Sequence, residues 1–244
     1  MTAPHRFRLR VHEALPSTSD LVAQLAAAGE PEGLAILACR QTAGRGTQGR
    51  AWEGRAGNLH LSVLLRPADP IRHAPQWGLL AAVALADAAA EILPGGTGFA
   101  LKWPNDLMLG DAKAAGILVE ASATSGGGIA WLCLGFGVNL AHAPAIPGRA
   151  TACLADAGIA PPAPEAFAER LLAALERRRL ERATDGFAPT RAAWLARGPA
   201  LGTHLAIRRE GADTAGSFAG LAEDGSLLLS TGGRVHAIAS GEVA

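Results

Sequence analysis

The sequence predicts an α+β fold: a central mixed or antiparallel sheet flanked by helices, followed by a small C-terminal β-barrel. Three observations carry this. Two hairpin patterns follow one another between residues 107 and 140, turning at Gly110-Asp111 and at Ser125-Gly126-Gly127-Gly128. Consecutive hairpins make antiparallel neighbours rather than a run of βαβ units. Residues 75–93 carry a helical pattern that is apolar nearly all round, which suits a helix buried against a sheet. From about residue 200 the texture changes to short strands divided by Gly211, Gly216, Glu223-Asp224-Gly225 and Gly232-Gly233. The expected division is a main domain over 1–199 and a β module over 200–244, the latter too small to stand without docking.

Each element has its own local reason. Residues 6–13 alternate apolar and polar, the period of a half-buried strand. Pro16-Ser17-Thr18-Ser19-Asp20 makes a turn, and Leu21, Val22, Leu25 and Ala26 then share one helical face until Gly29 ends it. Ser17 or Ser19 is the natural N-cap, although a hydroxyl cluster at a helix N-terminus also suits a small polar ligand. Residues 33–39 read as an apolar strand and 59–65 as another, stopped by Arg66-Pro67. The apolar helix has Pro75 in its first turn and Pro94-Gly95-Gly96 as its stop. Phe99-Ala100-Leu101-Lys102-Trp103 is a strand broken by Pro104, and the two hairpins follow. After a Pro-rich connector, a helix over about 165–183 carries Arg177-Arg178-Arg179, expected to be a solvated face. A shorter helix holds Trp194 and Leu195.

Composition narrows the function classes. The 244 residues are 49% hydrophobic with a formal net charge of +0, which argues against bulk nucleic-acid binding. Cys39, Cys133 and Cys153 form no C-x-x-C pair, and the histidines show no metal-ligand spacing, so no structural metal is expected. No apolar run reaches the ~18 residues of a membrane span, and no secretory leader is visible, which predicts a cytoplasmic protein with no membrane partner.

The chemistry concentrates in Gln41-Thr42-Ala43-Gly44-Arg45-Gly46-Thr47-Gln48-Gly49-Arg50-Ala51-Trp52, with three glycines and two arginines in a dozen residues. Neither helix nor strand tolerates glycines at that density. The stretch is therefore a loop whose bare N–H groups and forked cations suit a phosphate or carboxylate. Gly44 to Gly49 also matches the G-x-G-x-x-G dinucleotide pattern, but the pattern requires a helix at its end. Arg50 to Asn58, with Gly54 and Gly57, cannot propagate one. Three further places join the loop: Lys102-Trp103-Pro104-Asn105-Asp106, Lys113 at the start of a strand that the hairpin returns toward Asp106, and Gly135-Phe136-Gly137-Val138-Asn139. Singly, each has a structural reading: Lys102 snorkelling at a strand end, Asp106 bonding the turn, the glycines permitting close strand approach.

Taken together and in this order, Ser17-Thr18-Ser19, the Gln41–Trp52 loop, Lys102 to Asp106, Lys113-x-Ala115-Gly116-Ile117-Leu118-Val119-Glu120 and Gly135-x-Gly137-x-Asn139 resemble the biotin protein ligase family. The resemblance runs from about residue 6 to the end, where the β module resembles that family's SH3-like C-terminal domain. It implies a ligase using biotin and ATP with Mg²⁺, forming biotinyl-5′-adenylate and transferring biotin to a lysine of a biotin carboxyl carrier domain. By that analogy Ser17, Thr18, Ser19, Gln41, Arg45, Gly46, Thr47 and Lys113 line the biotin side. Gly44, Gly49, Trp52, Lys102, Asn105 and Asn139 lie on the ATP and adenylate side. Lys113, Arg45, Arg50 and Asp106 carry the chemistry, the cations stabilising charge on phosphate. Relatives often have an arginine where Thr47 stands and an asparagine where Ser19 stands. Only about sixteen residues precede the Ser-Thr turn, so no DNA-binding domain and no DNA partner is expected; a homodimer through a sheet edge remains open. A lipoate or octanoyl protein ligase and a non-catalytic biotin sensor are the alternatives.

Overall fold

A computed structural model describes residues 7–93, 98–209 and 213–243. Seven strands form one mixed sheet: β1 (Arg8–Leu15), β2 (Leu34–Gln41), β3 (Leu59–Leu65), β4 (Phe99–Lys102), β5 (Asp106–Leu109), β6 (Ala112–Ala123) and β7 (Ile129–Val138). Their spatial order is β1-β2-β3-β7-β6-β5-β4. Only β1 and β2 pair in parallel, because the helix α1 (Thr18–Ala27) lies between them as a crossover. All other neighbours are antiparallel.

The two faces of the sheet are covered unequally. α1 lays Val22 and Ala26 on Leu34, Ile36, Leu64 and Cys133. The other face carries α2 (Ala74–Ala90), itself covered by α3 (Pro164–Asp185) and α4 (Ala188–Leu195). Every residue of α2 from Gln76 to Ala89 is buried, as its all-round apolarity requires. The proposed stop at 94–96 lies outside the described residues.

Two expectations need correcting. Among the described residues the first strand runs Arg8–Leu15 and forms the sheet's outer strand, so Val11 is 49% exposed instead of half-buried. The arginine run of α3 is not simply solvated. Asp87, the one acid of α2 and 8% exposed, accepts from Arg178 Nε and from Arg197 at 2.8 Å each, and from Arg177 at 3.3 Å. Arg179 pairs with Glu176 at 2.8 Å. A carboxylate buried on an apolar helix costs on the order of several kcal/mol unless paired, and Arg177 and Arg178 of α3 together with Arg197 supply the pairing.

The C-terminal strands β8 (His204–Arg208), β9 (Thr214–Leu221), β10 (Leu227–Thr231), β11 (Arg234–Ile238) and β12 (Glu242–Val243) form a separate antiparallel sheet ordered β11-β10-β9-β8-β12. It is a five-stranded sheet, with no β11–β12 pairing among the described residues to close it as a barrel. Gly211 lies outside them. Phe218, Leu221, Leu227 and Ile207 join the main core, and Phe218 lies 6.3 Å from the Trp194 ring of α4.

Candidate active site

The floor of the site is made where β3, β7 and β6 run side by side. Ser62 is opposite Gly135, and Gly116 is opposite Gly137. A Cβ at Gly135 would stand 2.7 Å from Ser19 Oγ, and one at Gly137 would stand 2.3 Å from the Trp52 ring. The glycines therefore clear two seats on the sheet, one for the start of α1 and one for an indole.

α1 brings a hydroxyl cluster to the first seat. Ser17 is the N-cap, its Oγ accepting from Asp20 N at 3.3 Å. Thr18 donates to Gln41 Oε1 through its backbone N–H at 2.7 Å and its hydroxyl at 3.0 Å. Ser62 Oγ lies 2.8 Å from Thr18 Oγ1 and 3.0 Å from Ser19 Oγ. Ser62 escaped the sequence reading, although a lone hydroxyl amid Leu59, Leu61, Val63 and Leu64 was the available signal.

The glycine-rich loop folds over this floor. Trp52 N donates to Gly44 O at 2.9 Å and Gly46 N to Arg50 O at 2.7 Å, around a 3₁₀ turn at Thr47–Gly49. Gln48 and Gly49 hold φ of 57° and 71° there, a left-handed pair that favours glycine. At Gly44 a Cβ would meet Trp52 O at 2.6 Å. Trp52 lies against Gly137 and Gly116, with its buried indole N–H unpartnered among the described residues and Lys113 Nζ 5.8 Å from its ring centre.

The cations divide among different tasks. Lys113 reaches Asp106 Oδ1 at 2.5 Å because the β5–β6 hairpin sets Met108 opposite Lys113 and Asp106 opposite Gly116. Arg45 turns to carboxylates, with Asp20 at 2.5 Å and Glu120 at 2.9 Å; the Glu120 hydrogen bond leads in raising its pKa. It thus ties the loop to α1 and β6. Arg50 donates to Thr47 Oγ1 at 3.0 Å and to both Glu242 oxygens at 3.1 and 2.8 Å, and Arg149 donates to Glu242 at 2.9 Å. Burial pushes the Glu242 carboxyl up, but the Arg50 hydrogen bond and the charges of Arg50, Arg149 and Lys113 outweigh it, leaving the group below its ordinary value.

Ser17, Thr18, Ser19, Gln41, Arg45, Gly46, Thr47, Trp52, Asn105 and Lys113 line one cavity together with Ser62, Gly135 and Gly137. A neighbouring cavity of about 400 Å³ is lined by Thr47, Arg50, Trp52, Lys113, Asn139, Ile146, Arg149 and Thr151. Asn105 donates to Ile117 O at 2.5 Å, and Asn139 to Ala152 O at 3.0 Å. Asn58, also missed, accepts from the N–H groups of Leu140, Ala141 and His142 at 3.0–3.1 Å and so anchors that loop. Gly44, Gly49 and Asp106 support these walls without lining them. Lys102 lies elsewhere, on a cavity shared with Ala100, Met108 and Gly198.

Comparison with known proteins gives one direction. Residues 11–139 match the biotin/lipoate A/B protein ligase family. A biotin--[acetyl-CoA-carboxylase] ligase of Paracoccus denitrificans is 39% identical over 205 residues, covering 80% of this chain and 82% of that protein. Its counterpart in Mycobacterium tuberculosis is 33% identical over 93% of this chain and 84% of its own. The biotin protein ligase of Aquifex aeolicus, solved in complex with biotin and ATP, superposes with a TM-score of 0.82 at 26% identity, over 97% of both chains.

Proposed function

The chain belongs to the biotin/lipoate A/B protein ligase family, and from that premise we propose that it is a biotin protein ligase. It activates biotin with ATP and passes it to a lysine of a biotin carboxyl carrier domain. In the first step a biotin carboxylate oxygen attacks the α-phosphorus of ATP, the P–O bond to pyrophosphate breaks, and biotinyl-5′-AMP remains. In the second the lysine amine attacks the acyl carbon, an amide forms and AMP leaves with the bonding pair.

The observation that carries this reading is the joining of two cavities at Lys113. On one side Thr18, Ser19, Gln41 and Ser62 form a closed polar end, suited to a ureido ring that both donates and accepts. On the other, Arg50 and Arg149 flank a space for a nucleotide. Lys113, oriented by Asp106, stands between them, where its charge stabilises the acyl-phosphate oxygens as they form. Trp52 walls the two spaces apart, and Arg45 holds the loop closed. Gly46 and Thr47 border both spaces, Ser17 caps the helix that presents the hydroxyls, and Asn105 and Asn139 brace the walls. Mg²⁺ enters with ATP as part of the substrate.

The rest of the reading follows. The catalytic unit spans 1–199, and the β unit over 200–244 is an SH3-like barrel docked on it. The setting is cytoplasmic, supported by the lack of any helix among the described residues long and apolar enough to cross a membrane. Self-association would use a sheet edge. Lipoate and octanoate lack the ureido atoms for which the polar end is built. The test is ATP–pyrophosphate exchange with purified protein and Mg²⁺. Exchange with biotin and not with lipoate or octanoate is expected; exchange with lipoate instead moves the substrate, and tight biotin binding without exchange makes the protein a sensor.

A further inference from the structure

Trp52 stands between the acid cavity, which holds the polar end, and the nucleotide cavity of Arg50 and Arg149, its ring lying on the floor that Gly116 and Gly137 leave bare. Bare backbone fixes the plane of a ring better than it fixes which edge points where. The edge that carries the polar atom is buried: the indole N–H, which can only donate, has no acceptor among the described residues. Buried polar groups of folded proteins are paired with another group or with ordered water. This donor therefore calls for a partner on the sheet beneath it.

His60 stands beside it with the opposite need. It lies opposite Gly137 in the β3–β7 pairing, so its side chain rises from the same face of the sheet, about 5 Å from where a Gly137 side chain would start. A Cβ at Gly137 would lie 2.6 Å from Trp52 Nε1, which makes the imidazole the indole's neighbour. His60 is 1% exposed, and its Nε2 lies 3.1 Å from Arg55 O. A carbonyl only accepts, so Nε2 carries the hydrogen. Burial lowers the pKa of the ring more than the Arg55 hydrogen bond raises it, so the imidazole is neutral near neutral pH. A neutral ring with its hydrogen on Nε2 has a free lone pair on Nδ1. That Nδ1 is buried and unpartnered among the described residues, and it is the one acceptor among the four such side-chain atoms there.

We propose that His60 is a positioning residue for Trp52, its Nδ1 accepting from the indole N–H through one bridging water. The two atoms do not bond each other directly, and a single water supplies the acceptor that one lacks and the donor that the other lacks, with little loss of strength. The imidazole then clips two points of one loop segment to β3, Arg55 by its carbonyl and Trp52 by its indole. A ring held by that edge keeps one flank toward the acid and the other toward the nucleotide, with Lys113 Nζ 5.8 Å from its centre. This consequence for the substrates rests on the biotin ligase reading, whereas the contact between the two side chains does not.

Two substitutions separate the two nitrogens of the imidazole. In His60→Asn an oxygen takes the place of Nδ1, but the side chain is too short to reach Arg55 O. In His60→Gln the amide reaches Arg55 O in place of Nε2 and leaves Nδ1 unreplaced. These and His60→Phe are compared with the wild-type full chain in two measurements. The first, without substrate, is the proton–nitrogen correlation spectrum of the indole groups, where the Trp52 signal among the five tryptophans is assigned by its loss in Trp52→Phe. The second is the biotin KM in pyrophosphate exchange. In His60→Gln and His60→Phe the indole proton should move upfield, and the biotin KM should rise about fivefold, the worth of one hydrogen bond, with kcat within about twofold. His60→Asn should restore both in large part. Wild-type behaviour of His60→Gln beside an impaired His60→Asn overturns the proposal, because His60 would then serve Arg55 alone. An indole signal that moves while the biotin KM stays unchanged overturns it too. If His60→Asn or His60→Phe fails to fold, His60→Gln decides alone, and an unmoved indole signal there overturns the proposal. Absence of biotin-dependent exchange in the wild type sinks the ligase reading instead, while the indole signals still decide the contact.

Discussion

Lys113 and Asp106 face each other across the β5–β6 hairpin, Nζ 2.5 Å from Oδ1, with 16% and 9% of their side chains exposed. Two opposite charges so far from water are each other's solvation, and neither can be removed without stranding the other. The hairpin register makes this pair, and it places one fixed ammonium where the acid cavity meets the nucleotide cavity.

Lys113→Gln should therefore lower pyrophosphate exchange about a hundredfold or more, the usual loss when an oxyanion-stabilising donor is removed. Biotin binding measured by calorimetry should fall far less. Asp106→Asn keeps the shape and leaves the ammonium unpaired, so it should also slow exchange. Exchange within twofold of wild type in Lys113→Gln would show that the lysine only balances Asp106.

Gly137 is open to a sharper structural test. Its missing side chain is what lets Trp52 lie on β7, a Cβ there falling 2.3 Å from the ring. Gly137→Ala leaves β7 paired but evicts the indole. The loop from Gly44 to Trp52 should then become protease-sensitive, with the biotin KM raised about tenfold. A resistant loop with normal KM would mean that the indole finds another seat.

Much of this site was legible in the chain because its parts are local. Glycine density marks the loop, a serine cluster before an apolar stripe marks the cap of α1, and Gly110-Asp111 marks the turn that returns Lys113 to Asp106. What stayed hidden depends on partners far apart in sequence. Nothing near Arg50 announces its partner Glu242, 192 residues away, which fixes the guanidinium beside the nucleotide cavity. Nothing near Arg45 announces Asp20 and Glu120, which pair with it. Arg178 reads as solvated until Asp87 appears beneath it. Lys102 keeps its place in a recognisable run, yet its strand carries it to another cavity. Strand order is equally non-local: hairpins announce antiparallel neighbours, but that β3 lies beside β7 and not β4 follows from no turn signal.

Thr47 borders both the acid cavity and the nucleotide cavity, and its hydroxyl accepts from Arg50 at 3.0 Å. By the family resemblance, relatives carry an arginine at this position, whereas Thr47 adds no charge to that of Lys113, Arg50 and Arg149 around the cavities. Thr47→Arg should slow release of free biotinyl-adenylate in a trapping assay by about tenfold, the worth of one charge-assisted hydrogen bond. An unchanged release rate would show that the existing cations already suffice.

Glu242 joins the C-terminal sheet to the glycine-rich loop through Arg50 and to the loop before Thr151 through Arg149. Its carboxyl sits below the ordinary value of 4.5, with burial opposing the shift and Arg50 leading the causes that win. A depressed carboxyl contributes stability that is complete above the unfolded value and is lost as pH falls through the lower folded value. Glu242→Gln should accordingly lower Tm by about 2–4 °C near neutral pH, the scale of a partly exposed pair in a chain of this size. That difference should hold constant down to about pH 5 and shrink below it, as the wild-type carboxyl protonates. The ATP KM of the variant should rise about threefold near neutral pH, because Arg50 and Arg149 lose the group that aims them at the nucleotide cavity. A Tm difference that persists unchanged at pH 3 would assign the effect to packing of β12 instead of to charge, and an ATP KM that falls would make Glu242 a competitor for the phosphates, not their organiser.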